Sequence, residues 1–259
     1  MKAISQDGTP IVYDVSGSGP PLVVVNGALG YRSFSYARAL AAELAKGFTV
    51  VNYDRRGRGD SGDTKPYAVQ REVEDLAALA GEVGEAPFVF GLSSGGALAL
   101  EAAASGVRMR KLAVYEPPYM IGNPKGRPPP DYEERMTRLI AEDRRDDAVK
   151  FFMRTVGVPG LVVAVMPLFP FWKGLRAVAH TLPYDAAVMA GFDLPRERFA
   201  GIGVPTLAAT GQKSPPMLQI AAAAVAQVVP GARQRTLPGQ NHGVKPSAIA
   251  PVLKEFFAA

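Results

Sequence analysis

No cysteine occurs anywhere in this sequence, which excludes disulfides, thiolate metal sites and a thiol nucleophile. Histidine is almost as scarce, with His180 and His242 alone, so any imidazole chemistry has two candidates. Long apolar runs are missing too. The greasiest stretch, Leu161 to Trp172, is too short to span a bilayer and is broken by Pro167 and Pro170. Met1 to Asp14 has no apolar centre of signal-peptide length, so a cytoplasmic protein without a membrane span is expected. The net charge of +5 and pI near 9.4 are basic. The cations, however, are scattered through Arg55-Arg56, Arg108 to Lys111 and Arg144-Arg145, with no helix-turn-helix, zinc-finger or RNA-binding signature. They are expected to form a solvated surface, with no nucleic-acid partner.

What is present is a serine in a telling place. Gly91-Leu92-Ser93-Ser94-Gly95 follows the apolar run Phe88-Val89-Phe90 and opens an alanine-rich helical segment, Ala97 to Ala104. A serine between glycines at a strand-to-helix corner sits on a tight turn that pushes its hydroxyl out of the sheet. The helix N-terminus places free backbone N–H groups beside it, as a developing oxyanion requires. Ser93 is therefore the candidate nucleophile, and the N–H of Ser94 a candidate oxyanion donor.

The surrounding chain alternates strand and helix, which predicts a mostly parallel sheet covered on both faces. Strands are expected at Ile11 to Val15, Leu22 to Asn26, Phe48 to Tyr53, Phe88 to Phe90 and Leu112 to Tyr115. Helices are expected at Ser33 to Ala45 and Ala68 to Val83. From Pro118 to about Ala200 the alternation stops, between a linker Gly126-Arg127-Pro128-Pro129-Pro130 and Gly201-Ile202-Gly203-Val204-Pro205. It resumes with a strand at Thr206 to Thr210, a helix at Met217 to Val228, a strand near Arg233 to Leu237 and a last helix from about Pro246. The expected organisation is a core of residues 1–117 and 201–259 with a helical insertion, 118–200, as a lid. Phe151, Phe152, Leu161, Val162, Met166, Phe169, Phe171 and Trp172 make the insertion apolar. Most should pack it onto itself and the core, and some should line a pocket over Ser93.

These segments together resemble an α/β-hydrolase of the capped, single-domain kind, over essentially the whole chain outside the insertion. Leu22-Val23-Val24-Val25-Asn26-Gly27 is similar to that family's strand and oxyanion loop. Tyr53-Asp54-Arg55-Arg56-Gly57-Arg58-Gly59-Asp60-Ser61 is similar to its glycine-rich structural turn, and Leu237-Pro238-Gly239-Gln240-Asn241-His242 to its histidine loop. The resemblance implies His242 as the base, Ala28 as the second oxyanion N–H, and no cofactor or metal. Asn26 stands where many relatives have histidine, a change that a backbone donor tolerates. His180 is expected to be an ordinary insertion residue or a substrate contact.

The acid is the departure. Relatives commonly carry it after the strand that here is Thr206 to Thr210, but Ser214 stands there, and no Asp or Glu occurs from Ala200 to His242. Some relatives place the acid at the end of the intervening strand, which points to Glu116, with Asp185 and Asp193 as weaker rivals. Pro117 predicts an extended backbone at Glu116. The expected activity is hydrolysis of an uncharged, hydrophobic ester or thioester through an acyl-enzyme. Alternatives on the same scaffold are a cofactor-free lyase, perhydrolase or proton-transfer enzyme, or a binding protein whose chemistry has decayed.

Overall fold

The structure, a computed structural model, describes residues 1–122 and 127–259. Gly126, the start of the proline-rich linker, lies outside the described residues. The strands are β1 (Lys2–Ile4), β2 (Pro10–Ser16), β3 (Pro21–Val25), β4 (Thr49–Tyr53), β5 (Phe88–Leu92), β6 (Lys111–Tyr115), β7 (Thr206–Gly211) and β8 (Arg233–Leu237). They form one sheet in the order β1-β2-β4-β3-β5-β6-β7-β8. The β1–β2 and β2–β4 ladders are antiparallel and the other five are parallel, with Leu22 opposite Phe88 and Leu92 opposite Tyr115. The short edge strand β1 has no counterpart in the sequence pattern, because three residues are too few to show a period.

A parallel sheet needs apolar side chains on both faces, and β3 supplies them by alternation. Leu22 and Val24 join a core with Leu40 and Leu44 of α1 (Ser35–Leu44) and with Leu253 and Phe256 of α11 (Pro246–Ala258). Val23 and Val25 face the opposite core, built with α2 (Val69–Glu82), α3 (Ser94–Ala104) and α10 (Pro216–Val228). At β5 the second face carries Gly91 instead of a branched residue. A Cβ there would stand 2.5 Å from Gly95 O and 2.6 Å from Gly96 Cα, so its absence lets α3 fold back against its own strand.

Between β6 and β7 lie α4 (Tyr132–Ala141), α5 (Arg145–Thr155), α6 (Gly160–Val165), α7 (Phe171–Val178), α8 (Leu182–Val188) and α9 (Arg196–Phe199), with no strand among the described residues. They enclose a separate apolar cluster that includes Met136, Val149, Trp172, Leu175 and Leu182. The expectation that the aromatic and aliphatic residues here are mostly packed fails around α6. Val156, Leu161, Val162, Val165, Leu168, Phe169 and Phe171 are exposed. Prolines 159, 167 and 170 break this stretch into pieces too short to turn every apolar side chain inward.

Candidate active site

Ser93 caps α3 with φ 53° and ψ −127°, a conformation that costs roughly 1–3 kcal/mol for a residue with a Cβ. Hydrogen bonds on both sides hold it: Ser93 N–H donates to Tyr115 O at 2.8 Å, and Gly96 N–H donates to Ser93 O at 2.8 Å. Small neighbours make the turn sterically possible. A Cβ on Gly95 would lie 2.2 Å from Val25 O, and one on Gly27 would lie 2.9 Å from Leu92 O.

The loop after β3 thus runs directly past the serine. Its carbonyls face away, held by Arg58, whose guanidinium donates to Gly27 O at 2.7 Å and Gly30 O at 3.1 Å. Asn26 anchors the loop's start by donating to Asn52 Oδ1 at 3.1 Å, the contact that serves where relatives carry histidine. With the Gly27 carbonyl fixed, the N–H groups of Ala28 and Ser94 have no acceptor among the described residues. Both residues line one cavity with Ser93 and His242.

Glu116 immediately follows β6 and is fully buried. Its Oε2 lies 2.7 Å from His242 Nδ1, while Oε1 accepts from Thr210 Oγ1 at 2.9 Å and from Gly211 N–H at 2.7 Å. Burial pushes this carboxyl up, but the bonds from His242 and Gly211 outweigh it and hold Glu116 below the usual carboxylate range. The backbone at Glu116 is not extended as Pro117 predicts, because φ is 50°. The side-chain bonds and the Glu116 N–H donated to Ala209 O at 3.1 Å override that local preference. Ser214 Oγ is buried beside the carboxylate with no well-directed hydrogen bond of its own.

The histidine loop is seated on β7. A Cβ on Gly211 would meet Gln240 O at 2.4 Å, and Tyr115 Oη donates to Asn241 O at 2.6 Å. His242 lines the cavity together with Ser93, with no hydrogen bond between the two side chains among the described residues. Of the other candidates, His180 lies 3.8 Å from Asp63 and outside this cavity, and burial lowers its pKa. Asp193 pairs with Arg127 at the surface.

Asp185, on α8, has a different use. Its carboxylate accepts from Ser94 Oγ at 2.8 Å, Arg55 at 2.7 Å and Arg58 at 2.7 Å, and Arg55 also forks onto Glu72. Burial works against the Asp185 charge, but Arg58 and Arg55 outweigh it and lower its pKa. This corrects the expectation of a solvated surface for Arg55 and Arg56. Arg55, Arg56 and Arg58 are at most 1% exposed, Arg56 being paired with Asp75 and Asp7. The sequence clue is their setting: three arginines packed between glycines in a tight turn have little room to reach solvent, so acids elsewhere must meet them.

The cavity over Ser93 is lined mainly by apolar side chains, as ligand sites generally are. Tyr132, Phe152, Val156, Met189 and Phe192 line it from the segment between β6 and β7, and Pro215, Met217 and Leu218 from the start of α10. Among the described residues no lysine or arginine lines it, and Asp185 is already matched by two guanidiniums. It is an apolar chamber with a serine, a carboxylate-bound imidazole and two unused N–H donors at one end.

Residues 22–251 match a family model described as the alpha/beta hydrolase family. The chain is similar to an alpha/beta hydrolase from Sphaerobacter thermophilus DSM 20745 of known crystal structure. Identity is 54% and the TM-score 0.92, over 99% of this chain and 100% of that one. A hydrolase from Pseudomonas aeruginosa PA01 shares the fold at 24% identity, with a TM-score of 0.77 over 100% of this chain and 98% of that one. Among curated relatives, the uncharacterized hydrolase YraK of Bacillus subtilis (strain 168) is 36% identical over 98 residues, 36% of this chain. That match spans 35% of the relative's length. On the family match, the near-complete overlap with the Sphaerobacter structure and the helix-flanked sheet, the chain belongs to the alpha/beta hydrolase family.

Proposed function

We propose that the protein is a serine hydrolase that cleaves an uncharged, hydrophobic ester or thioester through an acyl-enzyme. The observation that carries this reading is the Glu116–His242 contact beside Ser93 in an apolar chamber. A serine hydroxyl is a weak nucleophile at neutral pH and needs an adjacent base. His242 takes the Ser93 proton as Oγ attacks the carbonyl carbon. Glu116, bonded to Nδ1–H, fixes the imidazole tautomer and stabilises the imidazolium that forms. The N–H groups of Ala28 and Ser94 receive the negative oxygen. Collapse of the tetrahedral adduct expels the alcohol or thiol, protonated by His242. A water, deprotonated by the same histidine, then releases the acid and restores Ser93.

The segment 118–200 serves as the lid over this site. Its apolar lining and the neutralised Asp185 favour an acyl group without charge, because an unpaired ion would lose its hydration there. Treatment with an organophosphate and intact-mass measurement test the reading. One covalent adduct is expected on the wild-type protein and none on Ser93→Ala. An adduct that survives in Ser93→Ala would remove Ser93 from the role.

A further inference from the structure

Exposed large apolar side chains are concentrated on one part of this molecule. Leu161 is 87% exposed and Leu168 82%, and Val162, Val165, Phe169 and Phe171 surround them. Elsewhere among the described residues, apart from the adjoining Val156, only Met1, Ile4, Val15 and Ile220 are comparable, and they are scattered. Contiguous apolar surface of this kind marks an interaction site. From Thr155 through Trp172 no residue carries a charge, and cations bound the stretch on both sides: Lys150 and Arg154 on α5, Lys173 on α7. Lys150, Arg154 and Lys173 have no acidic partner among the described residues. The nearby acids are engaged, Asp146 by Trp172 Nε1 and Arg176, Asp147 by Arg144.

We infer that this face docks on an anionic lipid surface, with the α6–α7 corner dipping into the headgroup boundary. Three observations select lipid. The run Gly160–Leu168 turns Leu161, Val162, Val165 and Leu168 to solvent and meets Phe171–Val188 at a bend of 102°, and among the described residues no single helix is long and apolar enough to cross a membrane. Such a corner suits shallow burial of side chains rather than passage. The unpaired cations at its rim match anionic headgroups, which attract Lys and Arg held near the surface. A second copy of the chain fits worse, because a two-fold contact through this face would set Lys150, Arg154 and Lys173 against the same cations. Val156, 51% exposed, also lines the chamber over Ser93, so docking brings lipid to the chamber's edge.

Sedimentation with phosphatidylglycerol or phosphatidylcholine vesicles tests this, independently of any catalytic role for Ser93. Wild-type protein and Ser93→Ala are expected to pellet equally with phosphatidylglycerol, far less with phosphatidylcholine, and less as salt is raised. Leu161→Ser with Leu168→Ser should lower the partition coefficient about tenfold or more, since each leucine leaves an apolar contact. Both side chains are already in solvent, and an unchanged thermal melt would confirm that the variant is folded. Lys150→Glu with Lys173→Glu should erase the preference for the anionic vesicles. Wild-type protein that stays in the supernatant with both vesicles, or serine variants that bind undiminished, would overturn the inference. So would a concentration-dependent dimer that the serine substitutions dissolve while vesicles capture nothing, which would assign the face to a second copy.

Discussion

Glu116, itself fully buried, accepts three directed hydrogen bonds, and each of them fixes the carboxylate relative to His242. Replacing it by glutamine keeps the shape and removes the charge that the imidazolium needs. Glu116→Gln is therefore expected to lower kcat by about 10³–10⁴ with KM nearly unchanged, in steady-state hydrolysis of a neutral aryl ester. Adding Ser214→Asp to that variant should restore part of the loss, because Ser214 is buried beside the same position. The pH dependence of stability follows from the depressed carboxyl. A folded-state pKa below the ordinary 4.5 contributes stability that is complete above 4.5 and disappears as pH falls through the folded value. Urea denaturation should show the gap between wild type and Glu116→Gln narrowing over that acidic range.

At the scale of elements, α5 and α7 contribute one aromatic each to different tasks. Phe152, together with Ala28, lines both the chamber over Ser93 and a second cavity behind the Asn26 to Gly30 loop, so its ring stands between the two. Phe152→Ala should join them and raise kcat/KM for longer acyl chains relative to short ones, measured over a series of p-nitrophenyl esters. Trp172 is 5% exposed inside the helical cluster, donates to Asp146 at 2.6 Å and does not line the chamber. Trp172→Ala should leave chain-length preference alone and cost about 3–5 kcal/mol of stability in chemical denaturation. The sequence does not separate these two residues. Composition marks both as apolar, and only the three-dimensional course of the broken helices decides which faces the serine. The same break explains Leu161 and Leu168, whose outward direction no periodicity predicts. The strand–helix alternation around the sheet was legible because each parallel strand must be apolar throughout and each covering helix amphipathic. Ser93 was legible from its glycine-flanked strand-to-helix corner, but Glu116 and His242 only through the resemblance of their strand and loop to the family's acid and histidine positions. The Asp185 bonds were not, since they join residues 130 and 127 positions apart.

Across the whole molecule, Arg55 and Arg58 connect the sheet to the helices between β6 and β7. Two guanidiniums and two carboxylates, Glu72 and Asp185, form a buried set in which each charge is met by an opposite one. Removing one member strands its partner, at about 3–5 kcal/mol. Asp185→Ala should therefore lower stability by that amount in denaturant titrations. It should also lower kcat for a neutral ester, because the freed Arg58 holds the Gly27 and Gly30 carbonyls less firmly. Asp185→Asn, which keeps one acceptor, should fall between wild type and Asp185→Ala on both measures.

The close passage of Gly91, Gly95 and the Asn26–Gly27 loop has a consequence for how such a chain can vary. At Gly95 the intruding atoms would be Val25 O and Asn26 O, and at Gly91 they would be Gly95 O and Gly96 Cα. All are main-chain atoms, which no change of a neighbouring side chain can move aside. Position 160, with open space around its would-be Cβ and no left-handed backbone, has no such restriction. Substitutions elsewhere can be rescued by a second substitution nearby, but at 91 and 95 there is no partner residue to change. In a lineage diversifying towards new substrates, these two codons are fixed points around which the loops and helices drift.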